Sequence, residues 1–331
     1  MKNWILGCDW GTSSFRLRLI DVVNAEIIGE VQSKNGIAQT YNLWMNSGLG
    51  SDERYVFFQS KLKIEIIRLA GQTNADLTGI PVIVTGMATS SIGMWELPYA
   101  SLPFSMHAEG LTMKLFPASH DFDHTLMLVS GVRDSQDVMR GEEVQLIGLM
   151  QGLAIPEVKE MVVILPGTHS KHNSIKENAL VSFQTFMTGE VFHLMATQSI
   201  LKDSIEIIEE DTDNEAFEAG VLKGQSANLL ASLFSVRTNT LFGNYNKSAN
   251  AYYLSGLLIG SELGYLQNDS DTRPIVLCGG GRLHGLYFKA LRILQLQHRT
   301  IDLPEESVTR ATIAGQITIF KHYFHTFSNS I

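Results

Sequence analysis

Two stretches of this chain share one short design: an apolar run, then Gly-Thr, then polar residues. Trp4-Ile5-Leu6-Gly7-Cys8 leads into Asp9-Trp10-Gly11-Thr12-Ser13-Ser14. Val162-Val163-Ile164-Leu165 leads into Pro166-Gly167-Thr168-His169-Ser170-Lys171. An apolar run of this length suits a buried strand, and Gly with hydroxyl neighbours suits a turn directly after it. After the first turn, Phe15-Arg16-Leu17-Arg18-Leu19-Ile20 alternates as a half-buried strand does, so the opening reads as a β-hairpin. Repetition of the unit points to two lobes of similar design, each presenting a Gly-Thr turn. The length agrees, since a chain of this size makes roughly two domains of about 150 residues each.

Other segments fill in an alternation of strands and helices. Strands are expected at Pro81–Val84, Leu126–Val129, Met161–Leu165, Phe183–Met187 and Pro274–Cys278. Helices are expected at Phe57–Ala70, Glu142–Gln151, Phe217–Leu233, Ala251–Tyr265, Leu286–Leu294 and Ala311–Phe320. Another, Thr188–Thr197, has Thr188 or Gly189 as its N-cap. The acidic stretch Glu206–Glu215 reads as a solvated connection. This alternation makes the class α/β.

Composition excludes several functions. The net charge is −9 and no basic run occurs, which argues against a nucleic-acid binder. The two cysteines, Cys8 and Cys278, cannot build a disulfide framework or a CxxC metal site. No apolar run approaches the ~18 residues of a membrane span. Leu6-Gly7-Cys8 looks like a lipoprotein cleavage site, but the apolar stretch before it is too short for a signal peptide. The chain is therefore expected to be cytoplasmic.

Four segments could carry chemistry. At Asp9-Trp10-Gly11-Thr12-Ser13-Ser14, Gly lets backbone N–H groups approach a phosphate and the hydroxyls add donors. Asp9 would hold Mg²⁺ rather than the phosphate, and Arg16, more than Arg18, could reach a transferred phosphoryl group. A plain hairpin turn is the competing reading. Gly167-Thr168-His169-Ser170-Lys171 offers a second phosphate cradle, although no Walker A loop occurs. His169 and His172 read as surface histidines, not metal ligands. Cys278-Gly279-Gly280-Gly281 ends a strand before a helix and would suit an adenosine moiety; the spacing to Gly285 does not fit a Rossmann fingerprint. In Asp137 to Gln145, Glu142 and Glu143 open a helix. One of them could accept a hydroxyl proton, or both could simply complement the helix dipole.

These residues also resemble a known family. Asp9-x-Gly11-Thr12-x-Ser14-x-Arg16 is similar to the first phosphate loop of the sugar kinase, heat-shock protein 70 and actin superfamily. A sharper resemblance is to the 2-dehydro-3-deoxygalactonokinase family. It is carried by Val138 to Gly148, Pro166-Gly167-Thr168-His169-x-Lys171 and Met187-Thr188-Gly189-Glu190-x-x-His193-Leu194. Ser255-Gly256-Leu257-Leu258-Ile259-Gly260-x-Glu262 and the loop Gly86 to Gly93 with Pro98-Tyr99 extend it in the family's order. The chain departs from related sugar kinases in having Glu142-Glu143 where they use Asp. It also has Leu165 where the first turn has Asp9, so the second lobe offers no equivalent metal carboxylate.

The resemblance implies a duplicated ribonuclease-H-like (actin-like ATPase) fold with two lobes around a nucleotide cleft. The first lobe would span residues 1–145, joined by the returning helix 309–331, and the second 146–308. It implies ATP and Mg²⁺, with Asp9 at the metal and Gly11, Thr12, Ser13, Gly167 and Thr168 at the phosphates. Arg16 would steady the transferred group and Gly279, Gly280 and Gly281 would carry the adenosine. Glu142 is the first choice of base and Glu143 the second. The acceptor would be the sugar acid 2-dehydro-3-deoxy-D-galactonate, its carboxylate met by Arg140 or Lys171. Ser90, Ser91 and Trp95 would line the sugar pocket and Glu190 would bond its hydroxyls. A homodimer is compatible with this reading. A phosphohydrolase of the same superfamily and an actin-like nucleotide-binding scaffold are the alternatives.

Overall fold

The computed structural model describes residues 3–152, 158–208, 213–226, 228–268 and 271–328. The chain divides into two compact units. One comprises residues 1–157, 178–181 and 309–331; the other comprises 158–177 and 182–308.

The first unit opens with β1 (Trp4–Trp10), β2 (Phe15–Asp21) and β3 (Glu26–Ser33), followed by α1 (Ile37–Met45) and α2 (Arg54–Thr73). Then come β4 (Val82–Gly86), the short β5 (Ala100–Ser101) and β6 (Phe104–Ser105), β7 (Met113–Phe116) and β8 (Leu126–Val129). The short β9 (Val132–Arg133) and β10 (Val138–Met139) precede α3 (Glu142–Gly152). The strands of the main sheet lie in the order β3-β2-β1-β4-β8-β7. β1 is antiparallel to β2 and parallel to β4, and β4 is parallel to β8. β1 and β4 are buried almost throughout, as apolar runs at the centre of a covered sheet should be. The expected alternation of β2 is broken at Arg18, which is buried because Glu30 stands opposite it on β3 and pairs with it.

The second unit carries β11 (Glu160–Leu165), β12 (Ser170–Lys176), β13 (Ala179–Phe186), α4 (Thr188–Thr197), α5 (Asn214–Ser226), α6 (Leu229–Leu233), α7 (Ser235–Leu241) and α8 (Lys247–Leu263). β14 (Ile275–Leu277), α9 (Gly281–Ile293) and β15 (Thr300–Asp302) follow. Here the order is β15-β14-β11-β12-β13, and Ala179 and Leu180 at the start of β13 pair with the short β6. β11 is antiparallel to β12 and parallel to β14, and β14 is parallel to β15. Counted from its own first strand, the second sheet reads 3-2-1-4-5, the ribonuclease-H-like order, and the first reads the same way once the added edge strand β7 is set aside. The repeat seen in two Gly-Thr turns extends to these five strands of each sheet.

The last helix, α10 (Glu306–Ser328), belongs to the first unit from Thr309 onward. It meets α3 at two glycines. A Cβ at Gly148 would lie 1.7 Å from the Ala311 carbonyl oxygen, and one at Gly315 would lie 1.9 Å from that of Val144. Only glycine permits this crossing, which sets where the N-terminus of α3 points.

Some expectations need correction. The helix expected over Phe217–Leu233 is broken, because the Asn228 side chain accepts the Ala231 N–H and starts a new helix. Ala227 lies outside the described residues. α4 has Met187 at its N-cap with no side-chain cap, since the Thr188 hydroxyl is engaged elsewhere. Of the expected acidic connection, residues 206–208 are exposed and 209–212 lie outside the described residues.

Candidate active site

Asp9 sits near the C-terminal end of β1, directly opposite Arg16 on β2. The hairpin register therefore pairs the two side chains, with the Arg16 guanidinium 3.6 Å from the Asp9 carboxylate. Desolvation raises the Asp9 carboxyl above its ordinary value, and Arg16 opposes that shift. Beyond Trp10 and Phe15, whose buried rings meet edge to face, the chain turns through Gly11–Ser14. The carbonyls of Gly11 and Thr12 accept the first N–H groups of α1, from Ile37 (2.9 Å) and Ala38 (3.0 Å). This contact needs Gly36, where a Cβ would lie 2.4 Å from the Thr12 carbonyl oxygen. Thr12 and Ser13 remain exposed.

Two glycines in left-handed backbone conformations border this point. Gly86, at the end of β4, has φ +86°, and Gly141, just before α3, has φ +110°. A Cβ on Gly86 would stand 2.9 Å from the Trp10 carbonyl oxygen and 3.5 Å from the Asp9 carboxylate. A Cβ on Gly141 would meet Gly86 at 3.5 Å. Asp9, Gly86 and the start of α3 thus converge at the C-terminal ends of two parallel strands, where α/β sheets place ligands.

The adjacent glutamates diverge, as neighbours on a helix must. Glu142 is half-buried, and its carboxylate accepts the Arg140 N–H at 3.2 Å. Glu143 is 1% exposed, and both its oxygens accept the Gly141 N–H, at 2.9 and 2.8 Å. Burial first, then the charge of Glu142, pushes the Glu143 carboxyl up to about 8. In the unfolded chain the group titrates near 4.5. The folded state therefore binds more protons across that window, and stability falls as pH rises through it. The slope from this one group is at most about 1.4 kcal/mol per pH unit. Glu143→Gln is expected to flatten the pH dependence of thermal melting between pH ~5 and ~8. Parallel melting curves for the wild type and this variant would show the shift to be wrong.

Arg140 is anchored within its own unit. Its guanidinium donates to the Thr89 hydroxyl (2.7 Å) and the Leu97 carbonyl (2.9 Å), and lies 3.9 Å over the Tyr99 ring. It clamps the loop after β4 to the start of α3. Arg140→Met is expected to cost about 1–3 kcal/mol of stability. An unchanged melting temperature would show that this clamp does not hold the fold.

Within the same loop, Ser90 is buried and its hydroxyl donates to the Met87 carbonyl at 2.8 Å. Ser91 is exposed, and its carbonyl accepts from Arg54 at 3.0 Å. Trp95 is 41% exposed, edge-on to Phe116, with the Lys114 ammonium 5.5 Å from its ring.

In the second unit, the Gly167-Thr168 turn repeats the first. The Thr168 carbonyl accepts the Glu190 N–H at 3.0 Å, and a Cβ on Gly189 would lie 2.7 Å from the Gly167 carbonyl oxygen. Glu190 and His169 are directly hydrogen-bonded. Lys171 is buried, with its ammonium on the Thr185 hydroxyl. His172 is not a surface residue. It is 3% exposed, and its ring bonds Glu262 and the Tyr265 hydroxyl, each at 2.7 Å. Glycine freedom governs the adenosine segment too. Gly280 is extended, Gly281 has φ +62°, and α9 starts there. Beside them opens a mostly apolar cavity of about 230 Å³, lined by residues that include Gly189, Phe192, Tyr252, Leu258, Arg282 and Leu286. The Arg282 guanidinium lies 4.9 Å over the Tyr252 ring.

These features fall in a segment that known proteins share. Residues 9–319 match the profile of the 2-keto-3-deoxy-galactonokinase family. The chain belongs to this family. It is 31% identical over 307 residues to the "Probable 2-dehydro-3-deoxygalactonokinase DgoK1" of Rhizobium meliloti (strain 1021), covering 90% of this chain and 92% of that one. It is 32% identical over 222 residues to the "2-dehydro-3-deoxygalactonokinase" of Escherichia coli (strain K12), covering 65% and 71%. The fold matches the "Crystal structure of a putative 2-dehydro-3-deoxygalactonokinase protein from Sinorhizobium meliloti" with a TM-score of 0.76 at 28% identity, over 97% of this chain and 99% of that one.

Sequence reasoning named Gly86 only as the start of a loop, and it missed two other residues. Gly36 supports the first turn, and Arg282 stands beside the three-glycine segment. Arg282 had a signal, since it directly follows Gly281. Gly36 had none, because its partner lies in a distant turn.

Proposed function

We propose that this carbohydrate kinase transfers the terminal phosphoryl group of ATP to the terminal hydroxyl of 2-dehydro-3-deoxy-D-galactonate, giving the 6-phosphate and ADP. The convergence of Asp9, Gly86 and the Glu142 helix start, in a chain of this family, carries the proposal. Glu142, half-exposed, accepts the hydroxyl proton; Glu143, sunk against the Gly141 N–H, anchors the helix start. A positioned carboxylate of this kind both aligns the attacking oxygen and removes its proton.

Among the described residues no cluster of three His, Cys, Asp or Glu could hold a metal ion. A lone carboxylate suits Mg²⁺, which keeps most of its waters and binds through one or two carboxylates plus substrate phosphates. Asp9 is that carboxylate, with space left over it by Gly86. Bound Mg²⁺ would neutralise charge on the phosphates. Arg16 steadies the transferred group, and the Gly11-Thr12-Ser13 and Gly167-Thr168 turns offer backbone and hydroxyl donors to phosphates.

The apolar cavity near the start of α9 suits a planar adenine, with the Tyr252 ring and the Arg282 guanidinium that lies over it among its lining. Arg140 and Lys171 are both engaged internally. Lys114, exposed beside Trp95, is the alternative cation for the substrate carboxylate. Buried free thiols at Cys8 and Cys278 suit a reducing, cytoplasmic setting. Among the described residues no helix is long and apolar enough to cross a membrane.

A coupled assay of ADP release across a panel of 2-keto-3-deoxy acids tests the reading. The enzyme should stay nearly idle with ATP alone and turn over when the galactonate acid is added. ATP hydrolysis indifferent to the acid would point to a phosphohydrolase, and nucleotide binding with assembly but no turnover to a scaffold.

A further inference from the structure

A second carboxylate is sequestered in the other unit. Glu262, near the end of α8, is 3% exposed. One of its oxygens accepts from the Ser170 hydroxyl (2.7 Å) and from His172 Nε2 (2.7 Å). The other accepts from the Thr188 hydroxyl and from the Tyr287 hydroxyl (2.6 Å). The other ring nitrogen of His172, Nδ1, bonds the Tyr265 hydroxyl, so the ring is held from both sides. An ionised carboxylate offers about four acceptor sites and no donor. Four converging donors fill that capacity, and they offset the cost of burying the charge.

The donors come from separate segments. Ser170 ends the Gly167-Thr168 turn. Thr188 opens α4, whose next two residues, Gly189 and Glu190, pack on that turn. Tyr287 lies on α9, the helix that starts at Gly281. One carboxylate therefore ties the second phosphate turn, the helix behind it and the helix after the glycine segment. We propose that Glu262 is a positioning residue for the nucleotide, holding these segments in the spacing that phosphate and adenosine require together. The inference rests on reading the segments as nucleotide-binding. A buried, fully bonded network resists distortion, and partial satisfaction loosens it as a unit.

Glutamine in place of Glu262 keeps the shape but presents an NH₂ where two hydroxyls now donate. Glu262→Gln should raise the Kd for ADP and the KM for ATP about tenfold or more, with the sugar-acid KM within about twofold. Tyr287→Phe removes a single donor and keeps the ring. It should shift ADP affinity in the same direction by a few-fold, and serves if the glutamine variant does not fold. Titration calorimetry with ADP reads both. A folded Tyr287→Phe or Glu262→Gln protein with wild-type ADP affinity overturns the proposal. Gly167→Asp separates it from the site reading, because a carboxylate in that turn should repel phosphate. Lost ADP binding there, with intact binding in the network variants, refutes the role of Glu262 alone. Intact ADP binding in Gly167→Asp refutes the site reading and the proposal with it.

Discussion

Glu142→Gln is expected to lower kcat by about 10²–10⁴ with little change in the affinity for ATP. The amide keeps the length and shape of the side chain, and its oxygen can still accept the Arg140 N–H seen at 3.2 Å. It cannot take the hydroxyl proton. Glu143→Gln should be nearly normal in turnover, since that carboxylate is buried against the Gly141 N–H. ADP release with the sugar acid present, measured on the two variants separately, decides between them. Equal and mild effects would move the base elsewhere, with Asp134 and Asp137 the next to test. The structure makes those two less inviting: Asp134 accepts the Gln136 and Asp137 N–H groups, both at 2.6 Å, and Asp137 accepts the Val138 N–H at 2.7 Å, so both serve their own turn.

Asp9→Asn should depress turnover about tenfold or more while the fold survives. The substitution is nearly isosteric, and it removes a charge whose burial is unfavourable, as the raised Asp9 carboxyl shows. Its cost to stability is therefore small, because Arg16 is 41% exposed and keeps its hydration when the partner charge is gone. The cost to activity should be large, because among the described residues no group of three His, Cys, Asp or Glu stands ready to hold the ion in its place. Thermal melting confirms the fold, and a Mg²⁺ titration of activity shows whether excess ion restores the rate. Wild-type turnover at ordinary Mg²⁺ would remove Asp9 from the site.

Much of this architecture was legible from periodicity and turn chemistry. The runs at Trp4–Cys8, Leu126–Val129 and Met161–Leu165 are strands because uninterrupted apolar residues of that length have nowhere to go but a covered sheet. The opening hairpin was legible too. Its register, which sets Asp9 opposite Arg16, was not read from the sequence, where Arg16 was expected only at a phosphoryl group. Family resemblance added the galactonokinase assignment, which periodicity could not supply. Segments with weak local signals were missed. β3 alternates poorly and is mostly exposed along its first half, and α1 lacks a side-chain cap because its first N–H groups bond the Gly11 and Thr12 carbonyls instead.

What the sequence by itself determined is the buried strands, the longer helices, the two glycine-threonine turns and the chemical types present near them. Those follow from forces acting over a few residues: strand burial, turn geometry and the absence of a Cβ. Tertiary structure decided which polar groups are spent and which are available. Glu142 and Glu143 are indistinguishable as letters, yet one is half-exposed and the other is sealed against Gly141. Arg140 and Lys171 look like free cations in the sequence, yet one clamps Thr89, Leu97 and Tyr99 and the other is buried on Thr185. His172 looks like a surface residue, yet it donates to a buried glutamate 90 residues away. Burial and hydrogen-bond partners are set by residues distant in the chain, and a charged group in a low-dielectric interior must find its partners there.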